Sequence, residues 1–396
     1  MDQKKRVSSL KQYPVLAAFT LFFAALFVLD LVTPDRAYSE LENTTLTQRP
    51  KLTAVSVDGL NNYFTNYTKY VKDQVFGRDQ WISLQSLAET TLFQKTQSGG
   101  ILLGREHRMF ARRYRVLPTE ERVWNKNLAA SSVRKIVAAV QSLGERYPGK
   151  VSFMLVPSAS VLYPEDLPLA APQMDEEGRI DEAQAALPAV QFLRVTDALR
   201  AHKDEYLYYR TDHHWTTLGA YYAYEQFCEA QGLTPFDRSA HPVETAENFY
   251  GTHYSKARTW NAEPDTITWY DLQNRLTIWN ITAPGQPTEG TQTGLYDTGK
   301  LDVYDKYAMF LHGNNGLSRV EGDGTGKILV IKDSYANSFV PYLTANYAAI
   351  DVVDFRNYNY GLDQLIADND YDAILVLYSY SSFTSDPYLY RAGVAG

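Results

Sequence analysis

Apolar residues are spaced in three different ways as the chain is followed from its amino end. First comes an unbroken run, PVLAAFTLFFAALFVLDLV, from Pro14 to Val32, 19 residues with Asp30 as the single charge. About 20 apolar residues cross a bilayer as a helix, so the run predicts a membrane-spanning segment. Next, after the polar stretch SELENTTLTQRPKLT, the segment DGLNNYFTNYTKYVKDQVFGRDQWISLQSLAETTLF repeats its apolar residues mostly three and four apart. That spacing places them on one side of an α-helix, so residues 34–120 read as a helical juxtamembrane region. From residue 121 onward, helical and short apolar stretches alternate. SSVRKIVAAVQSLGERYPGK predicts a helix ending at the Tyr147-Pro-Gly turn, and VSFMLVPSA a buried strand. AQAALPAVQFLRVTDALRAHKDE predicts helix interrupted near Pro188, LYYRTD a short strand or loop, and TTLGAYYAYEQFCEAQG a helix. KILVIKDSYANSFVPYLTANYAAIDVVDFRNY predicts strand, tight turn, helix and strand, and YDAILVLYSYSSF a final strand. Strands alternating with helices build a mostly parallel sheet covered on both faces. The expected organisation is a tail and anchor over 1–33, the helical region over 34–120, and a three-layer α/β domain over 121–396. Ligands of such sheets gather at the carboxyl ends of the strands, which directs attention to VPSAS, RTDHHW, IKDSYANS and the loop after AILVLYS.

Charge refines the picture at the amino end. Lys4, Lys5, Arg6 and Lys11 precede the apolar run, and a basic flank stays cytoplasmic, so everything beyond residue 33 is expected outside the cell membrane as a single-pass protein. A cleaved signal peptide is the alternative. Asp30 and the following PDRAYSE make a poor cleavage pattern, which favours a retained anchor. The chain carries −8 overall; its first 33 residues hold four basic and two acidic side chains, which leaves −10 for the remainder. An acidic ectodomain argues against nucleic acid as a partner. The single cysteine, Cys228, cannot form an intrachain disulfide and reads as a buried apolar thiol. Thirty tyrosines suit either sugar-facing grooves or ordinary half-buried positions.

Two stretches carry candidate chemistry. In KILVIKDSYANSF, Ser334 follows a buried strand and opens the expected helix. Backbone N–H groups and the helix dipole there favour a developing oxyanion, although Ser334 or Asp333 could equally be a helix cap. A serine nucleophile needs a base and a carboxylate that orients it. YYRTDHHWTT offers both, as His214 and Asp212, two residues apart and preceding the serine, an order that triads permit. A cap at Thr211 or Asp212 with Trp215 packed beneath is the structural alternative. Metal binding by Asp212, His213 and His214 is the rival reading. His107, His202, His241, His253 and His312 are scattered, and neither H-E-x-x-H nor C-x-x-C occurs, so no metal is expected.

TDHHW, followed by the later KDS serine, resembles the DHHW family of bacterial surface proteins, which is similar to the alginate-type O-acetyltransferases with an SGNH-hydrolase-like fold. YSELENTTLTQRPKLT, GGILLGREHRMF, VPSASVLYPEDLP, MFLHGNNG and IKDSYANSFVPYL resemble family blocks in the same order. The resemblance implies Ser334 as nucleophile, His214 as base and Asp212 as its carboxylate, with His213 at the variable position as a neighbouring or substrate contact. Asn314 is implied as the oxyanion side chain, helped by the Ser334 and Gly313 amides; a plain turn asparagine is the other reading. Arg356 is expected to pair with Asp354. Lys332 stands where the related enzymes have glycine, and His312 where a small residue is expected. The implied activity is cofactor-free transfer of an acetyl group, through an acyl-serine, to a hydroxyl of a surface or secreted polysaccharide. The implied partner is a membrane-bound O-acyltransferase that passes acetyl groups outward. A carbohydrate acetylesterase with the same residues, or a non-catalytic polysaccharide-binding scaffold, are the alternatives.

Overall fold

A computed structural model describes residues 13–42, 44–52, 55–112, 130–171, 174–279 and 290–393. The basic residues at 4, 5, 6 and 11 and the boundary expected at 120/121 lie outside them. Two compact units are present, Met1–Phe93 and Gln94–Gly396.

In the smaller unit the apolar run forms one helix, α1, Pro14–Val32, with Pro14 in its first turn, where a missing N–H costs nothing. It is long and apolar enough to cross a membrane, and none of its residues is buried. The expected amphipathic helices form as α2, Val57–Gln74, and α3, Arg78–Leu87. Ser56 caps α2 by accepting from the Gly59 N–H. The carboxylate of Asp30 in α1 accepts from the Phe76 N–H at 3.0 Å, tying the α2–α3 turn to the end of the apolar helix.

The larger unit starts ahead of the expected boundary. Residues 97–111, inside the region read as helical but including the GGILLGREHRMF block that resembles an entry strand, form three short antiparallel strands. They belong with this unit because the Met109 N–H donates to the Arg210 carbonyl and the Met109 carbonyl receives His253 Nδ1. Its centre is an eight-stranded sheet. In chain order the strands are β1 Val151–Val156, β2 Gln191–Leu193, β3 Arg275–Trp279, β4 Thr291–Gly294, β5 Leu317–Glu321, β6 Lys327–Lys332, β7 Ala349–Val353 and β8 Ala373–Ser379. Their spatial order is β4-β3-β5-β7-β6-β8-β1-β2. The block β7-β6-β8-β1-β2 is parallel, and β5, β3 and β4 add an antiparallel edge. Alternate residues of β6 enter opposite layers: Ile328 and Val330 pack with Trp215 and Phe227 on one face, Leu329 and Ile331 with Val140 and Leu143 on the other. Burial on both faces is why these strands read as continuous apolar runs. The covering helices are α4, Ala130–Arg146, and α5, Thr217–Gln231.

Three local expectations need correction. The segment expected as helix interrupted near Pro188 also holds β2, a three-residue strand preceded by turn residues and followed by a short helix, Thr196–Ala201. Beyond Ser334 the chain makes two short 3-10 turns, Ser334–Ser338 and Val340–Ala345, instead of an α-helix. Pro341 supplies no N–H and disfavours helical geometry just before it, so no long helix dipole points at Ser334. The cap of α5 is Thr216, whose Oγ1 accepts from the Gly219 N–H at 3.2 Å, leaving Asp212 for other work. Cys228 is fully buried, and burial pushes its thiol up to about 11. Many tyrosines enter the core, among them Tyr208, Tyr224, Tyr342 and Tyr378.

Candidate active site

The strand β6 ends at Lys332, and Asp333 then stops the chain from drifting. Asp333 Oδ1 accepts from the Tyr335 N–H at 2.9 Å, and Oδ2 accepts from the Ser379 N–H at 2.9 Å and the Ser379 hydroxyl at 2.7 Å. Asp333 therefore takes the capping role, and the Ser334 hydroxyl is left to point at His214, with Oγ and Nε2 2.7 Å apart.

His214 is delivered by a loop before α5. Its Nδ1 lies 2.5 Å from Asp212 Oδ1, which also accepts the His214 backbone N–H at 2.9 Å. An ionised carboxylate only accepts, so Nδ1 carries the proton and Nε2 is the acceptor facing Ser334. Asp212 Oδ2 accepts from the Thr252 N–H at 2.7 Å. Asp212 and His214 are both buried. Burial, the largest influence, opposes charge on the Asp212 carboxyl, yet the two histidines and their hydrogen bonds hold it well below the usual carboxylate range. Burial, and after it the neighbouring His213, push the His214 imidazole down to about 4 against the opposing pull of Asp212.

Several residues that the sequence reading passed over hold this chain of contacts. Tyr307 stacks flat on the His214 ring, centroids 3.9 Å apart at 11°, and its hydroxyl donates to the Ser334 carbonyl at 3.1 Å. Asp265, buried in the hairpin strand Asp265–Tyr270, accepts from the N–H groups of Arg210 and Thr211, each at 2.8 Å, and so fixes the approach to Asp212. Gly251 passes so close to Asp212 that an added Cβ would lie 2.2 Å from the Asp212 Cβ. The alternating burial of DTITWY was a readable strand signal, but nothing in one sequence pairs it with residue 211. Trp215 is fully buried, as expected of a packing residue, and its indole N–H donates to the Tyr335 carbonyl at 2.9 Å.

The remaining candidates fall around this centre. His213 is half-buried, stacks obliquely on His214 with centroids 3.8 Å apart, and shares Nδ1 with Thr252 Oγ1 at 2.7 Å. Asn314 is exposed in the turn after His312, and its Oδ1 accepts from Lys332 Nζ at 2.8 Å and from Asn337 Nδ2 at 3.3 Å. The Gly313 N–H is committed to the Phe310 carbonyl at 3.0 Å, which corrects its expected part as an oxyanion donor. His312 turns its Nε2 to the Gly294 carbonyl at 3.0 Å. Arg356 pairs with Asp354 through Nε at 2.9 Å, as expected. Asp212, His213 and His214 bring one potential metal-ligand atom each within 4.8 Å of one another. Within this group Asp212 Oδ1 is engaged with His214 Nδ1, and His213 Nδ1 with Thr252 Oγ1.

Comparison with known proteins agrees with the architecture. Residues 189–353 match the family model of the DHHW protein, and residues 101–262 match that of the SGNH hydrolase-like domain, acetyltransferase AlgX. Among solved structures, a DHHW family protein from Eubacterium siraeum is 24% identical with a TM-score of 0.56, covering 66% of this chain and 88% of its own. Bacillus cereus PatB1 is 18% identical with a TM-score of 0.53, covering 67% and 93%. PatB1 with a sulfonyl adduct gives 19%, 0.52, 67% and 92%. No curated protein matches. The DHHW match spans Asp212, His214 and Ser334 together, and so the resemblance read from TDHHW and KDS holds: this chain matches the DHHW model over 189–353 and the SGNH hydrolase-like domain over 101–262.

Proposed function

We propose that the protein is an O-acetyltransferase, anchored by α1 with its larger unit outside the cell, that acetylates hydroxyls of a cell-surface or secreted polysaccharide. The observation that carries this reading is the chain Asp212–His214–Ser334, with links of 2.5 and 2.7 Å. Ser334 Oγ attacks the acyl carbonyl while His214 Nε2 takes its proton; collapse breaks the bond to the donor's leaving group, which receives that proton. A sugar hydroxyl then attacks the acyl-serine, giving its proton to His214, and Ser334 recovers it as the ester leaves. Asp212 holds the ring in the tautomer that accepts and offsets the charge of the imidazolium. Asn314 Nδ2 and the Ser334 N–H are the proposed oxyanion donors. His213, half-exposed beside the base, is a proposed acceptor contact. The acetyl donor outside the membrane is taken to be a membrane-bound O-acyltransferase partner. Support for acetyl transfer comes from the family-level likeness to the AlgX acetyltransferase domain.

The test is a chromogenic acetyl ester given to the purified protein with and without an oligosaccharide. Mass gain of one acetyl group on the sugar supports transfer. Release of acetate alone, undiminished by the acceptor, would indicate an esterase, and no turnover by an acylated or unacylated Ser334 would indicate a scaffold. Chelation provides a further check: prolonged EDTA treatment is expected to leave ester turnover unchanged, whereas loss that zinc or manganese restores would make Asp212, His213 and His214 a metal site. The pH profile follows from His214, which works as a base only when neutral. Activity should therefore fall as pH drops through its lowered pKa, giving an acid limb of kcat/KM below the ordinary histidine value of about 6.5. A limb at or above that value would contradict the buried, neutral imidazole.

A further inference from the structure

Lys332 ends β6 directly before Asp333-Ser334, and its side chain is 1% exposed. An ammonium is rarely buried without partners. Here Nζ meets the Asp354 carboxylate at 3.3 Å and Asn314 Oδ1 at 2.8 Å. Asp354 is held in turn by Arg356, and the Asn314 carbonyl accepts Asn357 Nδ2 at 2.9 Å, so the two turns at 313–316 and 354–357 are fastened to each other. Lysine has three donors and no acceptor. The amide atom of Asn314 that faces it must therefore be oxygen, and Asn337 Nδ2, from the turn that Ser334 opens, donates to the same oxygen at 3.3 Å. With Oδ1 engaged inward on two donors, Asn314 Nδ2 is directed away from the buried ammonium.

We propose that Lys332 is a positioning residue that locks the side-chain amide of Asn314 with its NH₂ outward, as a preset oxyanion donor for the Ser334 reaction. The proposal rests on the acyl-serine reading and assigns a role to a buried lysine next to the Asp333-Ser334 turn. Without the ammonium the amide can rotate by half a turn and present oxygen, which would repel a developing oxyanion. The bound ground state meets the amide weakly, so the loss belongs to the transition state.

Lys332→Met keeps the length of the side chain and removes the donor, and Lys332→Gln retains an N–H. Because Lys332→Met also alters the surroundings of Asp354, each variant is compared by near-UV circular dichroism and by a cycle with Asn314→Ala. Loss of an oxyanion donor costs roughly 10²–10³-fold in kcat. Lys332→Met should approach that loss in kcat with KM little changed, and Lys332→Gln should recover much of it. In the Asn314→Ala background, Lys332→Met should cost almost nothing further, since the group it orients is gone. Equal losses from Lys332→Met in both backgrounds would mean packing alone and overturn the proposal, as would normal turnover of Lys332→Met or of Asn314→Ala. Failure of the acyl-serine reading is distinguished by Ser334→Ala, which would then remain active. If Lys332→Met does not fold, the same cycle is run with Lys332→Leu, which also lacks the donor, and is read in the same way.

Discussion

Replacing Ser334 with alanine should lower turnover of an acetyl ester on the order of 10³-fold or more, with His214→Ala close behind and the double variant little worse than either. The losses should not add because Ser334 Oγ and His214 Nε2 share one hydrogen bond at 2.7 Å and act as one device. Once the hydroxyl is gone the imidazole has nothing to deprotonate, and once the imidazole is gone the hydroxyl is an ordinary alcohol. Asp212→Asn is expected to be milder than Ser334→Ala. The amide oxygen can still accept from the His214 N–H and Nδ1–H, although it no longer offsets imidazolium charge and its NH₂ then faces the Thr252 N–H that the second carboxylate oxygen accepts. His213→Ala should cost clearly less than His214→Ala, since its ring bonds to Thr252 and not to Ser334. A fluorophosphonate is a suitable probe, because it reacts with activated serine hydroxyls. It should label the wild type at Ser334 and leave Ser334→Ala unlabelled. Near-normal turnover and labelling of Ser334→Ala would rule out the acyl-serine.

Trp215→Ala should destabilise the larger unit by about 3–5 kcal/mol, the usual cost of emptying a large aromatic site. Trp215 is fully buried against Tyr335 and Phe339, and its N–H is the partner of the Tyr335 carbonyl. Alanine would leave a cavity and take from that carbonyl the shorter of two side-chain donors, with the Ser338 hydroxyl remaining at 3.5 Å. The melting temperature should drop by on the order of 10 °C. Trp215→Phe refills most of the volume and isolates the hydrogen bond, so a smaller loss of about 1–3 kcal/mol is expected from the buried carbonyl alone. Thermal unfolding of the three proteins in parallel checks the ranking; a melting point for Trp215→Ala within two or three degrees of wild type would show that the indole is not a main support of the site (~1 kcal/mol or less).

What was legible in the sequence was whatever is buried on both faces. β1, β6 and β8 announce themselves as apolar runs, and α5 as a helix closed by Gly232 in the left-handed region. The antiparallel edge was not legible. β4 is TQTG with mostly exposed residues, and β3 is RLTIW with one fully buried position, so neither carries enough apolar weight to stand out from loop. The helix expected after Ser334 failed because local turn chemistry at Asp333 and Pro341 outweighs the apolar run that follows. At the site, Asp212, His214 and Ser334 could be proposed because each sits in a recognisable block. Tyr307 and Asp265 could not: their work is stacking and carboxylate anchoring across the fold, which leaves no spacing to read. Lys332 was visible as an oddity, and only its burial between Asp354 and Asn314 turned the oddity into a contact with meaning.

The distance along the chain between the site's parts also sets when the site can exist. His214 and Ser334 are 120 residues apart, and Asp333 is secured by Ser379 on the last strand of the sheet. Such long-range closures are among the later events of folding, since each must overcome a large loop entropy before any contact rewards it. A nascent chain that has reached Asp212 and His214 owns a base without a nucleophile, and one that stops short of Ser379 owns a nucleophile on an unsecured turn. On the proposed reading, with the larger unit working beyond a membrane, this is a form of timing: the polypeptide would be chemically silent while it is made and moved, and reactivity would arrive together with the finished fold.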